Sequence, residues 1–109
     1  MTLRAYVLQR LSAALMAPLV IVHIVVMIIA VQGGLSAAEI LGRTQGSWLW
    51  GGFYSLFVIA AAIHASVGVA NVIEEWLGWS RAAAVGIAHT LALVILVLGL
   101  RAVYAVVVV

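Results

Sequence analysis

Hydrophobic positions in this chain follow neither a helical nor a strand period; they run on unbroken. The stretch "LSAALMAPLVIVHIVVMIIAV", residues 11–31, holds no charged side chain and stops at Gln32, Gly33 and Gly34. A second charge-free run covers residues 48–73. A third apolar run covers residues 82–104 and carries one charge, Arg101, near its end. Each run meets the roughly 20 apolar residues that an α-helix needs to cross the hydrocarbon core. The pattern predicts an all-α integral membrane fold with three transmembrane helices in a single domain over residues 1–109.

Polar and aromatic residues punctuate these runs. Trp48, Trp50 and Tyr54 open the second, and Trp76 and Trp79 lie beyond its end, so aromatics mark both membrane interfaces. The connector "QGGLSAAEILGRTQGS" carries glycines and polar residues and predicts a short interfacial helix at "SAAEILG", whereas "EEWLGWSR" predicts a tight turn. Pro18 is expected to weaken or kink the first span, a defect that neighbouring helices can offset. Arg4 and Arg10 ahead of that span imitate a signal peptide, but the run is longer than a signal core and no clear small-x-small cleavage site follows.

Composition agrees with a bilayer setting: 68% of residues are hydrophobic and 7% charged, against roughly 25% charged in soluble domains. The bases are Arg4, Arg10, Arg43, Arg81 and Arg101, scattered at segment ends, which excludes a nucleic-acid patch. The absence of cysteine excludes disulfides and thiolate metal sites. Arg4, Arg10 and Arg81 fall on one side of the membrane, Arg43 and Arg101 on the other. The arginine excess predicts a cytoplasmic N-terminus. A chain this small encloses little interior, so a partner is expected.

Each span contains one histidine: His23, His64 and His89. An ionisable side chain at membrane depth costs about 2.5–3.5 kcal/mol on insertion scales, so each is expected to face protein, water or a cofactor. Helix rise puts His64 about 15 Å inside the Glu74 edge, His23 about 20 Å inside Arg10, and His89 about 12 Å from Arg81. These depths favour separate roles over one shared site. Zinc fits poorly, since the acids (Glu39, Glu74, Glu75) sit at the edges. Two readings stay open: an imidazole bonded to a neighbouring helix, or a haem ligand paired with a histidine from another helix. Gly68, one turn after His64 on the same face, either opens a slot for a macrocycle or forms a small-residue helix contact.

In "IHASVGVANVIEEW" the spacing His64, Gly68, Glu75, Trp76 resembles the second span of the cytochrome b type membrane anchors of succinate dehydrogenase and fumarate reductase, especially the smaller anchor. The first span is similar to the family's His-Arg-x-Ser/Thr-Gly opening, read here as Gln9, Arg10, Ser12 and Ala13. Gln9 and Ala13 depart from that motif, Glu75 stands for the usual Asp, and Trp76 stands for a common Tyr. An indole still donates a hydrogen bond to a quinone carbonyl, but it does not deliver a proton as a phenol does.

The resemblance implies a three-span anchor forming half of a haem-binding bundle in the bacterial cytoplasmic membrane. Its implied partners are a second anchor chain, an iron–sulfur subunit and a flavoprotein subunit. His64 would ligate haem b, and His23 a second haem, the alternative for His23 being a packed, hydrogen-bonded residue. A quinone would bind near Arg10, Ser12 and Trp76, with Glu75 or Glu74 relaying protons or pairing with the iron–sulfur subunit. His89 has no role in the family and is expected to be structural. The chain alone is not a complete enzyme, because it offers one ligand per haem. A haem-free quinone anchor and a small transporter subunit remain as alternatives, the second disfavoured by the lack of an intramembrane carboxylate.

Overall fold

The computed structural model describes residues 2–108. Three long helices cross its length, and their ends are set by side chains. α1 spans Leu3–Gln32, with the Thr2 hydroxyl accepting from the Ala5 amide. α2 spans Ala37–Thr44 and is capped by Ser36; α3 spans Trp48–Val72 and is capped by Ser47; α4 spans Arg81–Val107 and is capped by Ser80. These hydroxyls satisfy amides that a helix leaves unpaired in its first turn. α1 runs through Pro18 without interruption. It also starts two turns ahead of the charge-free run, because Arg4 and Arg10 continue the same helix.

α3 lies between α1 and α4 and packs against both. The molecule measures 47 × 23 × 23 Å, a length that matches the roughly 40–45 Å of a bilayer with its headgroups. All three long helices qualify as membrane spans, with mean hydropathies of 2.8, 2.1 and 2.4, and most large apolar side chains lie on the outside. An apolar exterior of this kind suits lipid or another apolar helix.

Small residues set the inner contacts. Ala70, Ile73, Ala84 and Ala88 form the buried cluster where α3 meets α4. At Gly99 the helices pack tightly: a Cβ there would stand 2.6 Å from Val58 Cγ1, so glycine permits this approach.

At one end, α2 closes the bundle. Thr44 is 2% exposed and its hydroxyl donates to the Val106 carbonyl at 2.7 Å, while the Gly46 amide donates to the Val107 carbonyl at 2.7 Å. Carbonyls in a helix's last turn have no partner of their own, so α2 caps α4. Gly34, with φ of 98°, and Leu35, with φ of 54°, make the turn that leads into α2. The opposite end holds a feature the apolar pattern did not show. After Val72 the helix widens into a π turn, Ile73–Leu77, that stops at Gly78 in the left-handed region.

Candidate functional site

The α1–α3 seam brings together residues far apart in sequence. Ser12 is 6% exposed, and its Oγ lies 3.3 Å from His64 Nδ1. The same hydroxyl donates to the Gln9 carbonyl at 3.1 Å. His64 Nε2 has no hydrogen-bond partner among the described residues, and the ring is half-buried. Gln9 reaches across to α3: a Cβ at Gly68 would lie 3.2 Å from Gln9 Nε2. Gly68 therefore makes room for the Gln9 amide on its α1 side. Gln9 Oε1 is buried without a partner among the described residues.

His23 sits deeper on α1, against α3. Its ring meets Phe57 edge-on at 5.3 Å and Tyr54 edge-on at 6.0 Å. Neither nitrogen has a hydrogen-bond partner among the described residues, so the ring is packed and not hydrogen-bonded. It lines an open cavity of about 440 Å³ with Tyr54, Phe57, Ala61, Ile95 and Gly99. In helical register His64 and Gly68 follow Ala61 by three and seven residues, placing them on the side of α3 that faces this cavity.

The expected quinone residues are not gathered in the same way. Arg10 and Ser12 stand two residues apart, about 200° around the helix. Ser12 accordingly turns into the seam while Arg10 points outward, its guanidinium 5.9 Å from the Tyr6 ring centroid. Glu75 and Trp76 lie in the π turn and are exposed, Trp76 by 81%. Arg10, Glu75 and Trp76 thus share one end of the molecule without touching. Glu74, in the same turn, pairs with Arg81 at 3.3 Å and pins the turn to the start of α4.

His89 is exposed on α4 and makes no hydrogen bond among the described residues, lining a shallow groove of about 270 Å³ with Leu8, Ile63 and Ser66. Among the described residues, no three His, Cys, Asp or Glu side chains converge, so the histidines stand apart.

The family model described as "Succinate dehydrogenase/Fumarate reductase transmembrane subunit" matches residues 1–106. The chain belongs to this family. No curated protein and no solved structure matches it significantly. The transmembrane subunit is therefore a multi-pass membrane component of a succinate dehydrogenase or fumarate reductase complex, which decides against the transporter alternative. Its intramembrane histidines, the Ser12 contact and the π turn are features of the chain on which a function within that complex has to be built.

Proposed function

We propose that the transmembrane subunit ligates haem b through His64 and carries a second haem through His23, and that its Arg10, Glu75 and Trp76 end helps form a quinone site. The observation that carries this reading is a pair of membrane-depth imidazoles on the α1–α3 seam, each with a nitrogen unpaired among the described residues. Burying such nitrogens without a partner is costly, and a metal satisfies a neutral imidazole nitrogen directly. The cavity beside His23 also suits iron porphyrin: it is lined mostly by aromatic and aliphatic side chains. When bound, haem supplies one-electron transfer between iron–sulfur centres and quinone.

The chain's own residues do the rest. Ser12 holds the His64 ring, and Tyr54 and Phe57 hold the His23 ring edge-on. Arg10 provides a permanent positive charge at the membrane edge, suited to a propionate or a developing quinone oxyanion. Trp76 provides an exposed indole N–H, and Glu75 an exposed carboxylate. This chain would supply one histidine for each haem, so a second anchor chain would supply the other ligand. An iron–sulfur subunit and a flavoprotein subunit then sit on the cytoplasmic side, the side that the arginine excess favours for Arg4, Arg10 and Arg81.

The test is a His64→Ala variant of the complex. A fall in b haem content by one per flavin, with flavin and iron–sulfur content retained, is the expected result. A full α band in that variant, with native intensity, removes His64 from the ligand set.

A further inference from the structure

Proton counting at Ser12 assigns the tautomer of His64. The Gln9 carbonyl oxygen lies 3.1 Å from Ser12 Oγ, and a carbonyl only accepts. The hydroxyl has one proton to give, and it donates it to that carbonyl, the shorter of its two contacts. With that proton committed, the Ser12 oxygen faces His64 Nδ1 at 3.3 Å as an acceptor. A proton on Nδ1 then closes the contact. In a neutral ring this leaves the lone pair on Nε2, the nitrogen without a partner among the described residues. Ser12 is 6% exposed, which leaves water little access to take over either bond.

We propose that Ser12 is the positioning residue of His64: it holds the imidazole in the Nδ1–H form and orients Nε2 as a donor atom toward an iron porphyrin. The ligand half rests on the haem reading above; the tautomer half rests on this chain alone. The opposite tautomer would present an N–H on that side, which cannot coordinate a metal. A hydrogen bond accepted from Nδ1–H also raises the basicity of Nε2 and restrains ring rotation. Ser12 thereby acts on the ligand and not on quinone.

Two readouts test the two halves. The first uses the full chain labelled with [15N]histidine in detergent micelles, with resonances assigned through His23→Gln and His89→Gln. Long-range 1H–15N spectra distinguish a lone-pair nitrogen from an N–H nitrogen. The Nδ1–H form is expected for His64, and an Nε2–H form overturns the proposal. This measurement needs no substitution at Ser12, so it stands even where Ser12→Ala fails to assemble.

The second readout follows haem transfer from the purified complex to an apo-globin scavenger. Ser12→Ala is expected to weaken haem retention by roughly 10- to 100-fold, the usual cost of removing a ligand's orienting partner, with Ser12→Thr restoring it. Native retention in Ser12→Ala overturns the assignment while leaving the haem reading intact. A wild-type complex with flavin and no haem overturns the haem reading itself and, with it, the ligand half of the proposal.

Discussion

Replacing Thr44 by Val should loosen one end of the bundle by a measurable amount. Thr44 Oγ1 lies 2.7 Å from the Val106 carbonyl of α4 and 3.1 Å from the Ile40 carbonyl of its own helix. It holds one proton, and the shorter contact to α4 takes the larger share. Valine keeps the shape and removes that proton, leaving a last-turn carbonyl without a donor at a site 2% exposed. Stranding a buried acceptor costs about 1–3 kcal/mol. The Gly46 amide still bonds the Val107 carbonyl, so the seam opens without detaching. At a tenfold change per 1.4 kcal/mol, local opening across residues 40–47 should become roughly 5- to 140-fold more frequent. Amide hydrogen exchange of that segment in the detergent-solubilised protein reads this directly. Thr44→Ser, which keeps the hydroxyl, should exchange close to wild type. Equal protection of residues 40–47 in the Val variant and in wild type would refute the reasoning.

Other substitutions probe the packing and the ends. Gly99→Ala would press a methyl within 2.6 Å of Val58, so it should lower thermal stability, and adding Val58→Ala should recover most of the loss. Glu74→Gln removes a pair whose Arg81 side chain is 54% exposed; the change in stability should stay under about 1 kcal/mol and shrink further in high salt. His23→Leu keeps an apolar body against Tyr54 and Phe57 and should lower the haem content of the complex by one per flavin, seen in the reduced-minus-oxidised spectrum; unchanged haem content would free His23 from the ligand role.

Much of the architecture was legible because apolar runs in a bilayer have few options. Residues 11–31, 48–73 and 82–104 each became a long helix, and "SAAEILG" contributed to α2, with Ser36 as its cap. The family resemblance, drawn from His64, Gly68, Glu75 and Trp76, agrees with the match over residues 1–106. What escaped was tertiary. Ser12 and His64 are 52 positions apart, and nothing local to either indicates their contact. Gln9, noted only as a departure from a motif, turned out to fill the space beside Gly68. The separation of Arg10 from Ser12 was available from helical period, since a two-residue step reverses the face. The π turn carries a weaker signal, two adjacent glutamates and Trp76 just before Gly78, and it sets where Glu75 and Trp76 emerge.

Pyridine haemochrome analysis of the gently purified, unmodified complex, set against its flavin content, decides whether this subunit is a haem carrier. Two b haems per flavin is the predicted value, one for His64 and one for His23. One haem would leave His64 as ligand and return His23 to packing. A complex with its full flavin and no b haem would contradict the proposal and leave the subunit as a haem-free quinone anchor.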